Sequence, residues 1–516
     1  MPCARRGLRS GAWPLRDRGR RPSRGPGNGA CREHGTSQRF RLLRYDSKVS
    51  RATSIAPFAA LALVSSLLLA LACGGDDRPN LLLITVDTLR ADALACYGGK
   101  ADVGVHICSI AEGGSRFEWA FSTAPSTAPS VASILTSRYP LEHGVTQNAR
   151  SFLPGEHETL AEVLHEAGYQ TAAFVSNPVI DHSKRLGQGF DHWDQVMNQH
   201  ELNRPGYVER HAIDTTNAVL TWLRRQASAP WFVWVHFQDP HGPYAARGAP
   251  TGRNRLDAIT LPILGNNSGR GGIPAYQAMP NVTSLAIYKH RYLSEIRLVD
   301  RQVGRLLREI DEIGGRPGVL LTADHGEAFG EDGYYFAHGH SVGFDLIRVP
   351  LLWRPPPSAE PGPPVVRTTV SGIDVAPTFL QAARVRTPET FGGRALQAIH
   401  TGESTPRSIF AEGSRRAAVI QGRRYFSRER VTGAKLREDG KPWGDENADL
   451  PSRTALLDSE AGLPQYTVVG ADPPQELEAA LRDHLSGAIR QAGGRHTELP
   501  RQLAERLREL GYATQE

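Results

Sequence analysis

A largely apolar run that meets a charged group only at its last position constrains this chain more than any other feature: Pro79-Asn80-Leu81-Leu82-Leu83-Ile84-Thr85-Val86-Asp87. The run lacks period-2 alternation, so it reads as a strand covered on both faces, the place of an inner strand in a parallel sheet. Ligands of open α/β sheets collect at the C-terminal strand ends, where Asp87 falls. Downstream, the pattern predicts helices over 130–135, 159–167, 207–225, 285–313 and 372–383, and strands over 170–176, 231–237 and 318–322. Alternation of this kind predicts an α/β fold on a large doubly wound sheet. Past residue 405 or so, short strands (417–420, 425–426) and a helix over 474–492 predict a smaller C-terminal α+β subdomain, followed by a charged helix over 499–510. A second core suits a chain of 516 residues, since single cores rarely outgrow about 250–300 residues.

Charge is distributed unevenly. The first 50 residues hold 13 Lys or Arg against 3 acidic groups, a balance of +10, whereas the whole chain carries +6, so residues 51–516 sum to −4. An acidic body argues against nucleic acid as partner, and residues 1–50 read as a basic disordered leader or as sequence upstream of a true start near Val49. Residues 51–73 then read as an export signal, with the apolar stretch 55–72 ending at Cys73. The segment Leu69-Ala70-Leu71-Ala72-Cys73-Gly74 resembles a lipoprotein cleavage site with Cys73 as the lipidated residue; a single membrane anchor is the alternative. Either way the expected location is extracytoplasmic, as a periplasmic or outer-membrane lipoprotein or an anchored protein. Cys96 and Cys108 are the cysteines of the body, and export permits them to pair. The catalytic unit is expected over 79–400 and the C-terminal unit over 401–516. Residues 245–279, rich in Gly, Pro, Asn and Arg, read as a substrate-facing loop; Arg253 and Arg255 are either solvated charge or anion ligands.

Short polar segments punctuate this frame. Asp87 ends the first strand, Thr127 lies in Ser126-Thr127-Ala128-Pro129-Ser130 before a helix, and Asp324-His325-Gly326-Glu327 follows the strand over 318–322. Carboxylate and imidazole groups at strand ends suit a catalytic metal site, because the fold fixes them while a coordination position stays open. A helix N-terminus offers N–H groups to an anion, and a metal can activate a hydroxyl. Taken singly, Asp87 and Thr127 also fit turn or cap residues. His236 and His241 flank Asp239 in Val235-His236-Phe237-Gln238-Asp239-Pro240-His241, and His338 and His340 share Ala337-His338-Gly339-His340. Imidazoles there can stabilise anionic oxygens and protonate a leaving alkoxide, or be structural.

Together these segments resemble the sulfatase family of the alkaline phosphatase superfamily. The resemblance runs through Asn80 to Asp92, Ser130 to Gly144, Asp239-Pro240-His241, Asp324-His325-Gly326-Glu327, His338-Gly339 and Arg348-Val349-Pro350-Leu351, covering roughly 79–385. It implies a mixed sheet sandwiched by helices and a divalent cation (Ca, Mn, Zn or Mg) held by Asp87, Asp324 and His325. It also implies Thr127 at the nucleophile position and beside the metal, and His241 with His338 or His340 as catalytic groups facing the substrate. His236 and Asp239 are placed at the substrate, Asp239 and His241 as candidates for a second ion, and Glu327 behind the ligands. Two departures matter. Sulfatases convert Cys or Ser to formylglycine at the position held by Thr127, and the Arg expected four residues later is Val131, so formylglycine is not expected unless Ser126 is used out of register. Thr88 stands where many sulfatases carry a second carboxylate, as in phosphate-handling relatives. The expectation is a metal-dependent hydrolase of phosphate, phosphodiester or phosphonate esters with a Thr nucleophile, its anionic substrate drawn from a glycan or lipid. Sulfuric ester hydrolysis, transfer of a phospho-alcohol group in the envelope, and a non-catalytic glycan- or lipid-binding role are the alternatives.

Overall fold

In a computed structural model the protein is described over residues 77–201, 203–204, 206–225, 230–244, 259–400, 407–414, 416–429, 452–460, 463–470 and 474–491. The leader, the export segment with Cys73, the loop arginines at 253 and 255 and the helix expected over 499–510 lie outside these residues. Among the described residues no helix is long and apolar enough to cross a membrane.

The elements that position the site follow the apolar pattern of the chain. They are β1 (Leu81–Val86), β2 (Ser115–Phe117), α1 (Thr127–Thr136), α2 (Leu160–Glu166), β3 (Gln170–Val175), β4 (His192–Asp194), α3 (Ala212–Leu223) and β5 (Trp231–Phe237). After them come α4 (Leu285–Glu312), β6 (Gly318–Ala323), β7 (Leu351–Arg354), β8 (Val365–Val366) and α5 (Val375–Ala382). The strands form one eight-stranded sheet in the order β8-β2-β7-β6-β1-β5-β3-β4. β1 pairs in parallel with both β5 and β6, while β7 runs antiparallel to β6 and β2, so the sheet is mixed. Every residue of β1, β5 and β6 is buried, as their largely apolar runs predict.

Helices cover both faces. Phe232 on one face of β5 packs against Phe379 of α5, with ring centroids 5.7 Å apart. Phe174, opposite Val235 and so on the other face, packs against Trp222 of α3 at 6.3 Å. Residues paired across parallel strands share a face, so the two contacts lie on opposite sides of the sheet.

Several boundaries differ from the sequence expectation for local reasons. α1 starts at Thr127, three residues before the predicted start, because Ser126 holds an extended backbone (φ −155°, ψ 148°) and Pro129 falls within the first turn, where its missing N–H is harmless. β6 extends one residue further than predicted, to Ala323. The helix predicted over 207–225 is confined to Ala212–Leu223, and Val208–Glu209 pairs instead with Gln199–His200 in a two-stranded ribbon. Residues 372–374 form a 3-10 turn ahead of α5. Cys96 and Cys108 are joined in a disulfide.

Beyond the large sheet lies a five-stranded antiparallel sheet: β9 (Ser408–Glu412), β10 (Arg416–Gln421), β11 (Arg424–Glu429), β12 (Ser452–Glu460) and β13 (Leu463–Gly470). The hairpin β12–β13 escaped the sequence pattern. Helix α6 (Gln475–Gln491) lays Leu477, Leu481 and Leu485 against Ala417, Val419 and Phe426. The other side of the sheet buries Ile420, Tyr425 and Leu457 with Trp119, Phe344 and Ile347 of the large unit. The arrangement is the α/β fold with a smaller C-terminal subdomain.

Candidate active site and metal centre

Parallel register brings the polar strand ends to one place. Val86 lies level with Phe237 and Ala323, so Asp87, Gln238 and Asp324 follow side by side at the C-terminal edge of the three central strands. Asp87, Asp324, His236 and His325 are all fully buried, and Thr127 is 1% exposed. Single ligand atoms of Asp87, His236 and Asp324 lie within 4.8 Å of one another. His325 Nε2 is 3.6 Å from both Asp87 Oδ1 and Asp324 Oδ2. The Thr127 hydroxyl is 3.3 Å from the same nitrogen.

Hydrogen-bond accounting separates atoms already occupied from atoms left over. Asn177 Nδ2 donates to Asp87 Oδ2 at 2.6 Å, and the backbone N–H groups of His325 and Thr88 donate to Asp324 Oδ1 at 2.8 and 3.3 Å. Asp87 Oδ1, Asp324 Oδ2 and His236 Nε2 have no hydrogen-bond partner. Three buried, unpartnered ligand atoms converging on one point fit a cation, since leaving such atoms unsatisfied is costly. His325 Nδ1 donates to Gly326 O at 2.8 Å, and a carbonyl can only accept, so Nε2 keeps its lone pair toward Thr127 and the carboxylates. Gly326 is required in this turn: a Cβ there would fall 2.0 Å from Asp345 O.

The electrostatics agree with that arrangement. Burial, and then the Asp87 charge beside it, pushes the Asp324 carboxyl well above the usual carboxylate range. For Asp87 burial acts in the same upward direction, but the neighbouring His236, His241 and His325 imidazoles outweigh it and hold the group low. Burial depresses His325 to about 3, so its ring is neutral at ordinary pH.

A second group of residues faces this pole. The rings of His338 and His325 are 4.5 Å apart, and those of His338 and His241 are 5.3 Å apart. Glu327, fully buried, accepts from His338 Nδ1 at 3.2 Å and from the Tyr244 hydroxyl at 3.2 Å. Burial alone would lower the His338 pKa; the hydrogen bond and charge of Glu327 overcome it and raise the pKa. His241 differs, its pKa lowered chiefly by burial, and its Nδ1 donates to Gly242 O at 2.8 Å, leaving Nε2 as an acceptor.

Two residues expected at the substrate make other contacts. Asp239 accepts from the Ala212 N–H at 2.7 Å, at the start of α3, and lies 3.6 Å from His211 Nδ1. His340 stacks on Tyr334 with ring centroids 3.6 Å apart. His236 stands on the carboxylate side of the cluster, its Nε2 3.7 Å from Asp87 Oδ2. The sequence reading missed Asn177, Tyr244 and Ser130, whose Oγ donates to Asp324 O at 2.6 Å. Asn177 was findable, because it lies just past β3, level with Asp87 past β1.

Comparison with known proteins carries the fold to a family. The Sulfatase family profile matches residues 79–385, more than half of the chain. The chain belongs to the sulfatase family. Members of this family are hydrolases of sulfuric ester bonds that use a divalent metal ion, and the chain is a hydrolase of sulfuric or phosphoric ester bonds. An N-acetylglucosamine-6-O-sulfatase of Bacteroides thetaiotaomicron is 25% identical over 437 residues, spanning 68% of this chain and 76% of that protein. An ulvan-active sulfatase of Formosa agariphila is 25% identical over 347 residues, with 62% of this chain and 65% of that protein aligned. Among solved structures, a phosphonate monoester hydrolase from Silicibacter pomeroyi superposes with a TM-score of 0.59 at 21% identity, covering 80% of this chain and 96% of its own.

Proposed function

We propose that this sulfatase-family hydrolase is an extracytoplasmic enzyme that cleaves phosphate, phosphodiester or phosphonate esters with Thr127 as covalent nucleophile. The observation that carries the reading is the Thr127 hydroxyl, at the first residue of α1, 3.3 Å from His325 Nε2, which itself lies 3.6 Å from the unpartnered Asp87 Oδ1 and Asp324 Oδ2. Asp87, Asp324 and His325 would hold a divalent ion with the Thr127 oxygen beside it, and His236 is placed to join them. When bound, the ion supplies positive charge that favours the ionised hydroxyl and the anionic ester oxygens. Thr cannot be converted to formylglycine, which sets this chain apart from sulfatases that use the aldehyde.

The chain's own groups account for the proton movements. The Thr127 oxygen, its proton lost to solvent, forms a bond to phosphorus while the bond from phosphorus to the leaving alcohol breaks. His338, whose pKa Glu327 raises, gives its Nε2 proton to the leaving oxygen. Water then breaks the Thr127 ester, with the neutral imidazole taking up a proton. His241 Nε2 faces the same space as an acceptor for a substrate hydroxyl or that water.

Sulfuric ester hydrolysis is the second reading, favoured by relatives that bear sulfatase names. Purified protein should be assayed on aryl phosphate, bis-aryl phosphate, phosphonate ester and aryl sulfate, with metal content measured. The expected outcome is turnover of a phosphorus ester that falls by about a thousandfold or more in Thr127→Ala. Turnover of aryl sulfate alone, unchanged in that variant, would replace this reading by the second.

A further inference from the structure

The candidate metal centre is backed by an arrangement inside the sheet. Thr85 and His236 stand level on the parallel strands β1 and β5, and Trp234 precedes His236 by two residues on the same face. All three are fully buried. Thr85 Oγ1 accepts the Trp234 Nε1–H at 2.9 Å and lies 2.8 Å from His236 Nδ1 and 3.5 Å from Val235 O. An indole N–H can only donate, so one acceptor site of the hydroxyl is engaged by Trp234. The hydroxyl then has two uses. It can donate to Nδ1, which puts the ring proton on Nε2, or accept from Nδ1–H and turn its own proton toward Val235 O. Only the second arrangement leaves a lone pair on Nε2, the nitrogen without a hydrogen-bond partner 3.7 Å from Asp87 Oδ2.

We propose that Thr85 and Trp234 are positioning residues that hold His236 as an Nε2 ligand of the divalent ion. The inference rests on the reading of Asp87 and Asp324 as ligands of that ion. Partners behind a ligating imidazole fix its tautomer and ring orientation, and their loss weakens metal binding by about 10- to 100-fold. Without the Thr85 hydroxyl, the ligand form of His236 would bury its Nδ1–H with no acceptor. A polar residue in the otherwise apolar run Leu81–Val86 thereby acquires a purpose that packing does not give it.

The test uses the full chain, stripped of metal and titrated with Mn²⁺ by calorimetry, with circular dichroism and melting temperature recorded for each variant. Thr85→Val should weaken Mn²⁺ binding by about tenfold or more, and Thr85→Ser should restore it. Trp234→Phe should weaken it by a smaller factor. In His236→Gln the loss should be at least as large, and adding Thr85→Val to that variant should change little, because Thr85 acts through the imidazole. Wild-type affinity in a folded Thr85→Val protein, or full additivity of the two losses, overturns the proposal while leaving the ion site intact. Unchanged Mn²⁺ affinity in Asp87→Asn and Asp324→Asn would remove the ion site itself.

Discussion

The two poles of the site are built on opposite rules. At the strand ends, Asp87 Oδ1, Asp324 Oδ2 and His236 Nε2 are buried without partners, and the carboxylates repel each other. A few ångströms away Glu327, equally buried, spends its two oxygens on His338 and Tyr244. Burial is the same; completion is different. The first pole lacks the partners that a cation would supply, whereas the second is complete within the chain, where Glu327 raises the His338 pKa. A site with both can offer positive charge to an anionic ester at one end and a proton to its leaving group at the other.

Removing the charge of the first pole should have the largest effect. Asp324→Asn and Asp87→Asn should each abolish turnover together with metal binding, measured by metal analysis after dialysis. Asp324→Asn, though not Asp87→Asn, should also make the metal-free protein more stable at neutral pH. The sign follows from the raised Asp324 pKa: above its unfolded value, the folded state must hold a carboxyl that resists ionisation, so metal-free wild type loses stability as pH rises from about 4 toward the folded pKa. Asn removes that penalty. A metal-free Asp324→Asn protein that melts below wild type at neutral pH would break the contrast between the poles.

The second pole should respond more mildly and through protons. His338→Gln should lower kcat/KM by about 10²- to 10⁴-fold with metal content unchanged. Glu327→Gln removes the larger causes that raise the His338 pKa and leaves the burial that lowers it, with only the lesser Asp87 charge against it. The alkaline limb of the rate profile, where His338 loses its proton, should therefore move to lower pH. An unmoved limb in Glu327→Gln would show that the two residues do not act as a pair.

How far the sequence disclosed this contrast depends on where each signal resides. β1, β5 and β6 were legible because strands buried on both faces are written as largely apolar runs, and the aspartates following two of them stand out for the same reason. Thr127 was legible as a position, but its place as the first helical residue depends on the backbone of Ser126. The pairing of Glu327 with His338, the use of Asp239 at the start of α3 and the stacking of His340 on Tyr334 were not legible. Each is a tertiary contact between residues whose local pattern fits several partners. The hairpin β12–β13 escaped for another reason: Leu456, Tyr466 and Val468 remain 45%, 45% and 52% exposed, so neither strand writes a clean buried face.

Lys184 tests whether burial without completion always signals a ligand. It is 1% exposed and belongs to neither pole, and its ammonium donates to Ser151 O at 3.3 Å. Burial pushes its pKa down to about 7, against an ordinary value near 10.4. Below pH 7 the amine is charged in both folded and unfolded chains, and the folded state bears the whole desolvation cost. Between about 7 and 10.4 the unfolded chain binds the extra proton, so stability rises with pH across that window. Lys184→Met should therefore stabilise the protein at pH 6 by about 2–3 kcal/mol, after allowing for the lost hydrogen bond, with turnover unchanged. The gain should shrink as melting is repeated toward pH 10. If instead the substitution lowers turnover, or its gain is flat across pH, Lys184 belongs with the functional groups and the rule separating the poles does not extend beyond them.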